Sequence, residues 1–424
     1  MPTPEASTDT PAPVTRRRPT FPAGLAFTGG AITFTSLYLG AGAPTPLLVL
    51  YEEQWRFPPA VLTLAFAVYA IGFLTALLTA GSLSDHVGRR PVLIGALAVQ
   101  LASIVMFLLA PGIGWVIAAR IVQGVATGAA TSAFTAALVE LAPPSRKRLG
   151  TILGSVGMTG GLAVGALLAG IAIQFTAIAN TLIFTVLTIV TILGIVVVAL
   201  SPETVTRAPG ALRSLIPRVA VPPVARREFA AATPVIAAIW MLAGLSLGLA
   251  PTIVRSVFLL DSGLLNGLCG FIAPATSAVT GVVFARFSPR RAMLIGIYAS
   301  IAGALGIVTG VLAGSLALMI IGQVIAGVGF GAAFSASLRL IFPLAAAHQR
   351  AGIVAGIYVV AYVSFGLPVV IAGQLAAPLG LVSTVAWYGA VTVLLSLVGL
   401  IVRRSLLGRS DTDRLNPTVA SNGS

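Results

Sequence analysis

Two short groups of residues in this chain could do more than pack. The first surrounds Asp85 and Arg89, in the run Gly81-Ser82-Leu83-Ser84-Asp85-His86-Val87-Gly88-Arg89-Arg90-Pro91. Gly88 lets the chain reverse direction in few residues, and Pro91 suits the first turn of a following helix. A carboxylate set beside arginines can make and break ion pairs, or accept hydrogen bonds from a neighbouring helix N-terminus. The second group is Arg120 with Gln123, Thr127 and Thr131, which recur at helical spacing on nearly one face. One guanidinium, one amide and two hydroxyls are suited to holding a neutral or anionic group, not to breaking bonds. The chain has no Gly-rich phosphate loop ending in Lys-Ser or Lys-Thr, no nucleophile–base pair and no His/Cys/acid cluster. Its one cysteine, Cys269, can build neither an internal disulfide nor a cysteine metal site. No enzyme activity, cofactor or metal is expected.

The elements that carry these groups follow from composition. Only 8% of the 424 residues are charged and 57% are hydrophobic, whereas a soluble domain carries about 25% charge. An ordinary cytosolic enzyme, a disordered chain and a nucleic-acid binder are excluded. The +14 net charge does not restore the last, because the basic residues are not gathered on a polar domain. A membrane helix needs about 20 mostly apolar residues, and twelve such stretches are found, from Leu25–Leu50 to Val382–Val402. They are too long for barrel strands, and the first exceeds the apolar run of a cleaved signal peptide. The expected organisation is a disordered tail over 1–22, a six-helix bundle over 23–200, a basic linker over 201–228, a second bundle over 229–402 and a tail over 403–424.

With both termini cytoplasmic, all but three of the 25 lysines and arginines fall on the inner side; the exceptions are Arg56, Arg255 and Arg120. That is the positive-inside bias of a multi-pass membrane protein. All eleven acids fall in tails, in outer loops or at inner helix ends, and none at mid-membrane. The two halves also resemble each other. Gly88-Arg89-Arg90-Pro91-Val92-Leu93-Ile94-Gly95 answers to Pro289-Arg290-Arg291-Ala292-Met293-Leu294-Ile295-Gly296. Gln123-Gly124 answers to Ala326-Gly327, and Arg148-x-Gly150 to Arg350-x-Gly352, at nearly one constant spacing. Parallel repeats of six spans place a binding site at the midplane between two bundles.

The Gly81–Pro91 run, the span count, the six-plus-six halves and the long linker resemble the major facilitator superfamily over nearly the whole chain. The resemblance implies an all-α membrane protein with twelve transmembrane helices in two six-helix bundles. It implies a gating motif of Gly81, Asp85, Gly88, Arg89 and Arg90 that locks the inner ends of the halves. Asp85 would face the start of the eleventh span near Gly352, and Arg89 would pair with Glu140. The second-half copy has Arg286 in place of Asp85, so the acid is one-sided. Arg120-x-x-Gln123-Gly124 matches a family element associated with proton or substrate coupling, and Thr127 follows it. Snorkelling of Arg120 to the outer headgroups is the alternative. The motifs are closest to the drug/proton antiporter branch, but the pattern is incomplete. Gly165-Ala166 stands where that branch has Gly-Pro, and Tyr38-Leu39-Gly40-Ala41-Gly42-Ala43 holds no carboxylate.

The expected function is secondary active transport by alternating access, most simply efflux of small, largely apolar compounds. The alternative is an importer or facilitator of a specific neutral or anionic metabolite. Cavity candidates are Thr35, Tyr38, Tyr69, Trp240, Gln323, Tyr358 and Tyr362, besides Arg120, Gln123 and Thr127. Expected partners are a small-molecule substrate and membrane lipid, with no nucleic acid, and the chain is expected to act as a monomer in the cell membrane. Proton coupling stays open: Asp85, Glu52 or Glu53 could titrate, the substrate could carry the proton, or transport could be uncoupled.

Overall fold

A computed structural model describes residues 20–217, 219–346 and 349–415, with side chains to Ser405. Residues 1–19 and 416–424 of the expected tails, Arg218 of the linker and residues 347–348 lie outside these residues. Among the described residues, twelve helices are long and apolar enough to cross a membrane. The first six are α1 Ala23–Trp55, α2 Pro59–Ala80, α3 Arg89–Leu108, α4 Ile113–Leu141, α5 Pro144–Phe175 and α6 Ala179–Leu200. The second six are α7 Pro223–Ser256, α8 Gly263–Phe284, α9 Pro289–Leu312, α10 Leu316–Leu344, α11 Arg350–Leu379 and α12 Leu381–Ser405. No strand occurs among the described residues. The chain is an all-α, multi-pass membrane protein.

The seventh helix starts at Pro223, inside the stretch expected to be linker. Pro222 is extended and Pro223 takes the first helical turn, where a missing N–H costs nothing. Glu228 is then on the helix and pairs with Arg403 of α12, so it belongs to the second bundle.

The first helix of each half is interrupted. α1 breaks at Ala43, before Pro44 and Pro46. α7 widens into a π-helical turn over Leu245–Leu249, before Pro251. A proline deprives the carbonyl four residues earlier of its donor, so each helix yields where its ladder is already broken.

The halves meet along two helix pairs. In one, α2 packs on α11: the Phe73 and Tyr362 rings stack at 4.2 Å, and Thr63 fills the space beside Gly373. In the other, α5 packs on α8 through bare backbone. A Cβ on Gly170 would lie 2.5 Å from the Gly263 carbonyl oxygen, and one on Gly267 would lie 2.7 Å from the Gly170 Cα. Only glycine allows that approach.

Candidate functional site

Between the halves lies a cavity of about 700 Å³. It is bounded by α5 from the first half and by α7, α8 and α10 from the second, with contributions from α1, α2, α4 and α11. Arg148, Thr151 and Arg339 stand at one end, on the arginine-rich face, and Arg148 and Thr151 are exposed. Ala41, Thr45, Tyr69 and Arg120 form the deep end. The wall is largely apolar and strongly aromatic. Trp240 lies 5.0 Å from the Tyr362 ring, 5.2 Å from Phe330 and 5.8 Å from both Phe334 and Phe365. Among the described residues, three arginines and no acid line the cavity.

Arg120 is 2% exposed, so it does not snorkel to a membrane surface. Its Nε donates to the Ala65 carbonyl of α2 at 3.3 Å, and its Nη1 to the Ala41 carbonyl of α1 at 3.3 Å. Nη1 also donates to Gln123 Oε1 at 2.6 Å. The guanidinium carbon sits 4.5 Å from the centre of the Tyr69 ring, a cation–π distance. Gln123 turns its other end to the Gly40 carbonyl, at 2.8 Å. That carbonyl would bond to residue 44 in an unbroken helix, but Pro44 has no N–H. The Arg-x-x-Gln spacing thus puts two side chains on the broken turn of α1.

The sequence candidates divide by this geometry. Arg120, Tyr69, Trp240 and Tyr362 line the cavity; Thr35, Tyr38, Gln123, Thr127, Gln323 and Tyr358 do not. Tyr38 turns inside the first bundle, where its hydroxyl lies 2.7 Å from Thr131 Oγ1. Thr127 donates to the Gln123 carbonyl in its own helix, and Thr35 likewise donates to the Ala31 carbonyl. Phe73 lies against Tyr358, at 6.4 Å. Gln323 is 1% exposed.

On the arginine-rich face the Gly81–Arg90 run makes a second cluster. Arg89 pairs with Asp85, donates to Ser84 Oγ at 2.7 Å and pairs with Glu140 Oε1 at 3.0 Å. Ser132 Oγ donates to the Gly81 carbonyl at 2.7 Å, joining this turn to α4. Glu203, at the exit of α6, accepts from the backbone N–H groups of Arg89 at 2.8 Å and Arg90 at 3.0 Å. It thereby satisfies the N-terminal donors of α3. Its signal in the sequence is an acid just past a helix end, beside a turn of arginines. Asp85 makes no hydrogen bond to α11. Linker residue Ala220 lies against Gly352 instead, its N–H 3.4 Å from the Gly352 carbonyl oxygen. The linker reaches that point past the motif: Ala208 N–H donates to the His86 carbonyl at 2.9 Å, and Ser82 Oγ to the Ser214 carbonyl at 3.0 Å.

The opposite face carries a cluster that sequence reasoning missed. Arg255 of α7 pairs with Glu52, pairs with Glu53 at 2.9 Å and donates to the Val49 carbonyl at 3.3 Å. All three partners are on α1, so this clasp joins the two halves. A signal for it was present: Glu52 and Arg255 are 203 residues apart, the spacing of the internal duplication. With Arg255 clasped and α5 packed on α8, the molecule is shut on this face and open on the arginine-rich one.

The Major Facilitator Superfamily model matches residues 30–368. No curated protein matches the chain. Among solved structures, it is similar to a bacterial homologue of the human lysosomal transporter Spinster, in an inward-facing and unoccupied conformation. The TM-score is 0.69 at 14% identity, covering 91% of this chain and 98% of that one. It is also similar to a POT family transporter in complex with 5-aminolevulinic acid, with TM-score 0.72 at 13% identity, over 90% of this chain and 96% of that one. A POT family transporter in complex with a thioalcohol-conjugated peptide gives 0.71 at 13%, over 89% and 95%.

Proposed function

Because the chain belongs to the Major Facilitator Superfamily, we propose that it is a secondary active transporter that exports small, largely apolar compounds by alternating access. The observation that carries this reading is the cavity: about 700 Å³ between the halves, apolar and aromatic, open on one face and clasped on the other. A transport cycle needs such a site exposed to each side in turn, and two rigid bundles rocking about it supply that. We place the arginine-rich face, and with it both termini, in the cytoplasm, since basic loops stay on that side. The chain then sits in the cell membrane as a monomer, and the open cavity faces the compartment from which an exporter loads.

The test is flux in reconstituted vesicles. Asp85→Asn and Arg120→Ala should each cut transport strongly, measured per folded molecule; normal flux in both variants refutes the mechanism. A facilitator of a neutral or anionic metabolite is the second reading. It is favoured by the absence of any acid from the cavity lining, which gives a proton no central carboxylate to ride on. Counterflow without a pH response selects that reading over proton-driven export.

A further inference from the structure

We propose that the cavity selects apolar monoanions, compounds with one carboxylate or comparable acid group on an aromatic or aliphatic body. The inference rests on the cavity being the transport site. Arg120 would hold the acid group, and the aromatic wall around Trp240 the body.

Four observations converge. Arg120 is a buried cation with neutral partners only: two backbone carbonyls, one amide and the face of Tyr69. No described acid lies within ion-pair distance of it. Charges inside a membrane protein usually face a partner or a pathway, and a ligand anion is the partner this arrangement lacks. Next, the side chain is aimed before any ligand arrives. Nε and Nη1 are tied to α2 and α1, whereas Nη2 donates to no described group. A held guanidinium loses little freedom when it takes an acceptor. The third observation concerns the aromatic wall. Trp240 lines the cavity, and its buried Nε1 has no hydrogen-bond partner among the described residues. An indole N–H can only donate, so it gives the wall a donor and no acceptor, which disfavours a cation. Finally, Arg148 and Arg339 at the mouth add positive potential, which attracts anions and repels cations. The body of the ligand must be apolar, because the wall would leave the hydroxyls of a sugar or the amides of a peptide unmatched.

The experiment uses the full chain in lipid nanodiscs and three probes that share one ring system: 1-naphthylacetate, 1-naphthylacetamide and 1-naphthylmethylamine. Binding is read by equilibrium dialysis and by quenching of tryptophan fluorescence. The acetate should bind at least about tenfold more tightly than the amide, the scale of a charge-assisted hydrogen bond, and the amine should not saturate. R120Q should erase the preference for acetate over amide, and R120K should keep part of it. Because Arg120 also ties α4 to α1 and α2, R120Q could unfold; the wild-type comparison decides the matter without it. Equal or weaker binding of the acetate overturns the proposal, as does no binding of any probe at millimolar concentration. Flux of the amide into reconstituted vesicles, without acetate preference in binding, leaves apolar export standing and removes the anion site. Acetate preference without flux of either probe does the reverse.

Discussion

Replacing Arg255 by alanine should move the molecule toward the state open on the opposite face. Arg255 is the charged clasp between α1 and α7 on that face. Its side chain is 23% exposed, Glu53 is 46% exposed, and Glu52 only 9%. The Glu53 pair resembles an exposed ion pair, worth about 0–1 kcal/mol. The Glu52 pair is mostly sheltered, and removing the partner of a fully buried charge costs about 3–5 kcal/mol. Glu52 regains water when the halves part, so this cost falls only on the closed arrangement. Discounting for the exposure of Arg255 leaves roughly 2 kcal/mol against closure, or about thirtyfold in the ratio of the two states. Spin labels at Pro111→Cys and Ala313→Cys, exposed loop positions of the two halves, would report the separation by pulsed electron resonance. Cys269 is fully buried and can be removed as Cys269→Ser. The long-distance population should grow in R255A and in E52Q, and shrink again in the swapped pair E52R/R255E. An unchanged distance distribution in folded R255A would refute the clasp.

Other contacts make equally definite demands. Gly170→Leu should hold α5 off α8, since even a Cβ would sit 2.5 Å from the Gly263 carbonyl oxygen. Flux should fall at least about tenfold, the scale of 1.4 kcal/mol against closure, with the labelled loops farther apart; wild-type flux would show that this closure is dispensable. Glu203→Ala should lower stability by about 1–2 kcal/mol through loss of the α3 N-terminal acceptor, seen as a lower melting temperature in detergent. Gly88→Ala should cost a similar amount. Its φ is +109°, and its Cβ would lie 2.6 Å from Glu203 Oε2. A melting temperature unmoved in both variants would remove Glu203 from the architecture.

The spans were legible because a membrane demands long apolar runs whatever the tertiary packing, and Pro58-Pro59, Pro111-Gly112 and Pro143-Pro144 punctuate them. The faces of those helices were not legible. A membrane helix is apolar nearly all round, so its pattern does not separate a side chain lining the cavity from one packed inside a bundle. Tyr38 and Tyr69 look alike in sequence, yet one bonds to Thr131 inside its bundle and the other lies under Arg120 beside the cavity. The place of Asp85 depended on conformation. On the face where the cavity opens, linker residue Ala220 meets Gly352, and Asp85 turns to Arg89. The duplicated spacing was the most informative signal left unused, because it connects Glu52 to Arg255.

Arg120 does two jobs in this fold, and one comparison separates them. Its Nε and Nη1, with Gln123, hold α1 and α2 at the turn broken by Pro44. Only the remaining nitrogen is available to the cavity. A loss of flux in Arg120→Ala therefore mixes a weakened helix contact with a lost binding group. Gln123→Leu removes the tie to Gly40 and one acceptor of Arg120 Nη1 while leaving the guanidinium itself in place. It strands the Gly40 carbonyl, at a cost of about 1–3 kcal/mol, but Gln123 does not line the cavity. Its melting temperature should fall, while flux per folded molecule stays within about threefold of wild type, because the retained guanidinium still meets the substrate. If folded Gln123→Leu proved as inactive as Arg120→Ala, the arginine would be a tie between helices, and the anion site would have to be abandoned.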